Sequence, residues 1–223
     1  GTRENINIDD TINIHSISGV TSVHGGDGND YLNVNVGLNG ERIVDNGIGA
    51  VLNLDGESGS DKYTVNFGGS GNAIINVHDS GAPDAGADVL IINGLDSVDD
   101  SSTVVFDDTI LLRKEFVARL NDFDGGLQKF MGVERINYDE SINGRLIVNG
   151  LGGNDRFFID DNSAITTVDG GSGADYFQIG QIFGSLRNAA AGVLPADEFE
   201  TTPVIIGVVP VAYTDHTGSY TSF

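Results

Sequence analysis

The chain has 223 residues, with 33 acidic and 11 basic side chains and a formal charge of −22. An acidic excess of this size repels nucleic acid and anionic membranes, and it opposes compaction unless cations are bound. Hydrophobic residues nevertheless reach 39%, and Val, Ile and Leu recur in short alternating runs, which excludes a disordered acidic chain.

Thirty-two glycines stand against about 16 expected from ordinary usage of ~7%. There is no Gly-X-Y period, so the chain is not collagen-like. Many of the glycines lie beside Asp or Asn, which is turn chemistry. The absence of cysteine removes disulfides, thiolate zinc sites and a cysteine nucleophile. An extracellular protein without disulfides needs another staple, and bound metal is the obvious candidate. No apolar run approaches the ~18–20 residues of a membrane span. The opening residues do not resemble a signal peptide, so the chain reads as an excised piece of a larger protein.

In chain order, Ile6, Ile8, Ile12 and Ile14 around Asp10 predict a first strand turn without glycines. Five Gly/Asp loops follow. Gly25-Gly26-Asp27-Gly28-Asn29-Asp30 precedes Tyr31-Leu32-Asn33-Val34, and Gly56-Glu57-Ser58-Gly59-Ser60-Asp61 precedes Lys62-Tyr63-Thr64-Val65. The third, from Asp79 to Asp88, is the same loop lengthened by about four residues, and it precedes Val89-Leu90-Ile91-Ile92. After a long gap come Gly150-Leu151-Gly152-Gly153-Asn154-Asp155 and Gly170-Gly171-Ser172-Gly173-Ala174-Asp175, again with apolar strands behind them. Positions two and four after each final Asp are apolar, and so is the residue two before each loop. That pattern is strand, tight turn, strand, with one face buried on a period of two. One such unit cannot bury its apolar face alone, whereas stacked copies can.

Successive final Asp residues are 31, 27, 67 and 20 apart. About 20 residues suits one coil of a parallel β-helix, with longer gaps holding insertions. The gap of 67 is expected to hide degenerate coils, with eroded turns at 94–100 and 122–126. The expected fold is all-β, a right-handed parallel β-helix over residues 1–180. Residues 181–223, where the loops stop and prolines gather, form a cap or a linker.

The loops match the Gly-Gly-x-Gly-x-Asp-x-apolar-x nonapeptide, cleanly at 25–33 and 170–178 and one glycine short at 56–64 and 150–158. They resemble those of the repeats-in-toxin family, secreted bacterial proteins whose Gly/Asp loops bind calcium in a β-roll. The spacing departs from that family, since the loops are single where β-rolls repeat them in tandem. Calcium takes six to eight oxygens at 2.3–2.6 Å with little angular demand. Glycines let carbonyls turn inward, and the final Asp adds a carboxylate, so loops of two adjacent coils complete one shell. The candidate ligands are Gly25, Asp27, Gly28 and Asp30, then Gly56, Gly59 and Asp61, then Asp88. In the last two loops they are Gly150, Gly152 and Asp155 with Gly170, Gly173 and Asp175. Asp155 and Asp175, one coil apart, are expected to share an ion. The opposing reading is of ordinary turns without an ion.

No catalytic motif emerges. Arg113, Lys114, Arg119, Lys129 and Arg135 cluster near Asp107, Asp108, Asp122 and Asp124, and read as the solvated face of an insertion. Residues 109–120 also fit a short helix loosely. The expected role is a calcium-bound structural or adhesive module, not an enzyme, of a secreted or cell-surface bacterial protein such as an adhesin. Its partners would be calcium and a carbohydrate or another surface protein, with no nucleic acid and no membrane insertion. The alternative is the non-catalytic repeat region of a secreted protease, lipase or polysaccharide epimerase or lyase.

Overall fold

Alternation on a period of two selects strands, and among the described residues there are only strands and connections. The computed structural model describes residues 8–37, 40, 47–68, 73–82, 86–95, 106–124, 129–160, 162–180, 201–203 and 214–216. The first strands are β1 (Thr11–Ile14), β2 (Ser16–Ile17), β3 (Thr21–Asp27), β4 (Tyr31–Val34), β5 (Gly47–Ile48) and β6 (Leu52–Ser58). Next come β7 (Lys62–Asn66), β8 (Ile74–His78), β9 (Val89–Asn93), β10 (Thr109–Arg113), β11 (Phe116–Asp124) and β12 (Lys129–Asn137). The series ends with β13 (Arg145–Asn149), β14 (Arg156–Ile159), β15 (Thr166–Asp169) and β16 (Tyr176–Ile179). A separate antiparallel pair joins β17 (Thr201–Pro203) to β18 (Thr214–His216). The tail expected to cap or link otherwise lies outside the described residues.

Apart from β2 and β5, which form a short parallel pair of their own, the chain passes mainly between two sheets. One is parallel throughout, in the order β1-β4-β7-β9-β13-β15. The other runs β16-β14-β10-β11-β12-β8-β6-β3 and is parallel except around β11. Inward residues of the two sheets form a single hydrophobic cluster that includes Leu32, Tyr63, Leu90, Leu146, Leu54, Ile110 and Phe157. Each such leucine contributes about 1.5–3 kcal/mol by leaving water. The initial strand without glycines forms as expected, with Ile12 and Ile14 opposite Leu32 and Val34. At the other end the pattern holds but the burial does not. Phe177 stacks on Phe157 at 4.8 Å, yet Phe177 and Ile179 are 43% and 62% exposed because β16 is the last strand of its sheet.

Residues 109–120 are not a helix. They form β10 and the start of β11, paired antiparallel from Ile110 opposite Arg119 to Arg113 opposite Phe116. The apolar residues fit both periods, and as strands the segment pairs with β14 and β12, whose edges a helix, bonded only to itself, would leave open. Asp122 and Asp124 lie in β11, so the expected turn at 122–126 is instead a strand as far as Asp124. The insertion β11–β12 fills the gap between β10 and β8, which are not adjacent in their sheet.

Amide ladders run along the strand ends. Asn149 donates to Asn93, Asn93 to Asn66, and Asn66 to the Asn35 carbonyl. On the other sheet Asn137 donates to Asn76, and Asn76 to Asn53. An amide both donates and accepts, so it suits a column of identical neighbours one strand apart. These columns fix register, because a slip of one residue would break every bond in them.

Candidate metal centre

The Gly/Asp loops fall into two columns, not one. Loops 25–30, 56–61 and 79–88 connect the mixed sheet to the parallel one, whereas loops 150–155 and 170–175 connect the parallel sheet to the mixed one. Asp88 and Asp155 are therefore not neighbours in a column. Asp88 is followed by Asn143, whose Oδ1 accepts the Asp88 N–H at 2.9 Å. Asp155 is preceded by Asp108, whose N–H donates to Asp155 Oδ1 at 2.7 Å.

Within each column the final Asp residues repeat one bond. Asp10 N–H donates to Asp30 Oδ1, Asp30 N–H to Asp61 Oδ1, and Asp61 N–H to Asp88 Oδ1, at 2.7, 2.6 and 2.9 Å. In the second column Asp155 N–H donates to Asp175 Oδ1 at 3.0 Å, so the expected neighbours are brought together. One oxygen of each carboxylate is thereby used. The other is not: Oδ2 of Asp30, Asp61 and Asp155 is buried without a hydrogen-bond partner.

Where a loop begins with glycine, that residue leaves room for the oxygen. A Cβ on Gly25 would meet Asp30 Oδ2 at 2.3 Å and the Gly56 carbonyl at 2.7 Å. On Gly150 it would meet Asp155 Oδ2 at 2.3 Å and the Gly170 carbonyl at 2.6 Å. The carboxylate oxygen and the next loop's carbonyl are thus both packed against the glycine, where a side chain would displace them. Without a cation or a proton, two buried acceptors side by side are costly.

Asp108 is the internal contrast. Its Oδ1 accepts from Arg119 Nε at 2.5 Å and its Oδ2 from the Leu95 N–H at 2.7 Å. Arg119 also lies 3.7 Å from Glu134, and all three residues are buried. The basic cluster is therefore not wholly a solvated face. At this one step of the column the hairpin supplies a protein cation.

Burial pushes the Asp155 carboxyl up to about 7; the Asp108 N–H opposes the rise, and the Asp108, Asp175 and Asp107 carboxylates add to it. Asp61 rises to about 7 for the same first reason, with the Asp79 and Asp30 carboxylates adding. Asp88 is raised chiefly by burial.

Glycines two before the final Asp form a second column. A Cβ on Gly59 would stand 1.6 Å from the Gly28 carbonyl, and one on Gly173 1.7 Å from that of Gly153. Gly153 rather than Gly152 occupies this place, with φ of +133°, while Gly152 bridges Ser172. Asp27 is exposed within β3, opposite Ser58, and its side chain stays out of the buried row. Sequence reasoning missed Asp108, because an insertion separates it from its first glycine, Gly94. It missed Asn143 because the amide replaces the Asp. The signal for both was the apolar pair that follows, Ile110 and Leu112 after Asp108, and a strand beginning two residues after Asn143. His24 and His78 have acidic partners at the surface: Glu57 at 3.0 Å and Asp139 at 2.7 Å.

The fold and the site together define an all-β protein of two mainly parallel sheets, with buried aspartate columns in its turns. No known protein family, curated protein or solved structure matches the chain.

Proposed function

We propose that this chain is a right-handed parallel β-helix module of a secreted or surface bacterial protein, stiffened by calcium held between its stacked Gly/Asp loops. Its role is structural and adhesive, and non-catalytic. One observation carries the reading: Asp30, Asp61 and Asp155 each bury an oxygen with no partner. At Asp108 the equivalent oxygen, Oδ2 beside Gly94, accepts the Leu95 N–H, and Arg119 offsets the carboxylate's charge through Oδ1. Where the protein provides no cation, a bound one completes the column. The donors are all oxygens, carboxylate and carbonyl, which suits a hard ion. The ion adds Lewis-acid charge that holds adjacent loops together. The charge of −22 favours the same outcome, since each bound ion offsets self-repulsion. The closing of the loops by calcium at extracellular levels accords with the resemblance to repeats-in-toxin loops.

The test is removal of the ion. Each site that binds only the folded state contributes roughly 1.4 kcal/mol at tenfold ligand excess. Several together approach the ~5–15 kcal/mol stability of an ordinary domain. Chelation should lower the thermal midpoint and diminish the β-sheet circular dichroism, and calcium should restore both. An unchanged spectrum and midpoint after chelation would sink the reading.

A narrower test concerns Asp155 and Asp175. If one ion lies between their loops, Asp155→Ala and Asp175→Ala should each empty the same site. The double variant should then lose little more calcium affinity than one single variant. Calorimetric titration of the three proteins decides this, and losses that simply add would indicate separate ions.

A further inference from the structure

Asp79 stands where the other loops carry their first glycine. Val77 lies two before it, as Val23 lies two before Gly25 and Leu54 two before Gly56. The exchange adds a carboxylate to a place that already has two. Asp61, Asp79 and Asp88 are all buried, and each offers an oxygen within 4.8 Å of the others. Among the described residues, none of the three pairs with a lysine or arginine.

Hydrogen bonds account for only part of the cluster. Asp61 Oδ1 accepts from the Asp30 N–H and Asp88 Oδ1 from the Asp61 N–H. Asp79 Oδ1 accepts from the Gly81 N–H, and its Oδ2 from the Tyr63 hydroxyl at 2.9 Å. Tyr63 is itself fixed, because its hydroxyl accepts the Gly56 N–H at 2.6 Å and its ring is buried. Asp61, only 1% exposed, keeps Oδ2 without a partner inside this cluster. At Gly25, Gly94 and Gly150 the second oxygen beside the first glycine is the next loop's carbonyl. At Gly56 it is the Tyr63 hydroxyl, 2.6 Å from where a Cβ would stand, with Asp61 Oδ2 at 2.4 Å.

From these contacts we propose that Asp61, Asp79 and Asp88 form a calcium site of their own, in which the Tyr63 hydroxyl positions Asp79. The proposal deepens the calcium reading above and rests on it. Two ligands of one calcium stand at most about 4.6–5.2 Å apart, and the three carboxylates fall within that limit. Three carboxylates make it the most highly charged ligand set among the described steps of the column, whereas at Gly25 the carboxylate of Asp30 is accompanied by a carbonyl. Asp79 and Asp88 also line a cleft of about 690 Å³ whose walls include Glu115, Asp139 and Glu140 as well as Lys114 and His78. The cleft gives a divalent ion a path, and its carboxylates outnumber its basic groups. Tyr63 is a positioning residue.

The experiment counts ions in the full chain by equilibrium dialysis and elemental analysis. Asp79→Asn keeps the size of the side chain and an oxygen for the Tyr63 hydroxyl, and removes only the charge. It should bind one calcium fewer than the unaltered chain and keep the remaining ions at unchanged affinity. Tyr63→Phe should keep the full count but weaken one site about tenfold, the cost of a lost hydrogen bond to a charged group. Terbium supplies an independent readout, since the chain has no tryptophan and tyrosines alone sensitise its emission. The part of the emission removed by Tyr63→Phe should be missing in Asp79→Asn as well. An equal ion count in Asp79→Asn and the unaltered chain overturns this site while leaving calcium in the other loops. No bound calcium in the unaltered chain overturns both readings, and magnesium at the same count in competition overturns the assignment to calcium.

Discussion

In the metal-free protein, the thermal midpoint should fall as pH rises from 5 to 8, and saturating calcium should reverse that trend. Asp61 and Asp155 are pushed up to about 7 in the fold, from an ordinary carboxylate value of 3.8, chiefly by burial. A folded pKa above the unfolded one means that the folded state favours the protonated form. The stability this confers is complete below the unfolded value and is lost as pH rises through about 7. Each of the two groups accounts for a few kcal/mol at most on this basis. Together they amount to a fall on the order of 10 °C or more for a domain of this size. Asp88, also raised, acts in the same direction. Calcium competes with the protons for the same oxygens, so its stabilisation should be small at pH 5 and large at pH 8. Differential scanning calorimetry at four pH values, with calcium and with chelator, separates the two curves. A chelated protein that is more stable at pH 8 than at pH 5 would show that the buried carboxyls are not the controlling groups. So would a calcium gain that is the same at every pH.

Much of this arrangement was legible in the residues. The apolar pairs after each final Asp named the inward faces correctly at Leu32 and Val34, Tyr63 and Val65, Leu90 and Ile92, and Phe157 and Ile159. They succeed because burial on one side of a strand forces a period of two. The same period carries no information about which sheet a strand joins. The five loops therefore read as one series, although Asp30, Asp61 and Asp88 lie in one column and Asp155 and Asp175 in another. The hairpin β11–β12 was illegible for a related reason. Its second strand pairs with β8, which lies about sixty residues earlier in the sequence.

Polar substitutions inside the columns were the harder part. Asn143 keeps the accepting oxygen of an Asp but not its charge, so a search for Gly/Asp grammar passes over it. Asp79 was visible as a loop residue, but its weight depends on Tyr63, sixteen residues earlier, reaching across with a hydroxyl. Asp108 is explained only by Arg119, which the sequence placed in an exposed strip. These are contacts across the stack, and local pattern does not encode them.

Gly59→Ala should be among the most damaging single substitutions in the chain, and Gly26→Ala should be mild by comparison. Both glycines have left-handed backbones, with φ of +144° and +109°. An alanine at either place therefore incurs a conformational cost of about 1–2 kcal/mol. They differ in what a methyl group would meet. Around Gly26 there is nothing within 4 Å, whereas at Gly59 the new Cβ would fall 1.6 Å from the Gly28 carbonyl. That oxygen belongs to the preceding loop of the column, and backbone cannot turn aside as a flexible side chain can. Relief requires the two loops to separate, which adds an overpacking cost of about 1–3 kcal/mol. It also disturbs the Ser60 N–H bond to Asn29 and the Asp30 N–H bond to Asp61. The expected total at Gly59 is therefore about 2–5 kcal/mol, against about 1–2 kcal/mol at Gly26. Denaturant unfolding of the two variants in saturating calcium measures the difference directly. Only the Gly59 variant should also need more calcium to fold, because separating the loops pulls apart the oxygens that an ion would bridge. Equal losses in the two variants would mean that the strain is purely local, and that loops 25–30 and 56–61 are not in contact as described.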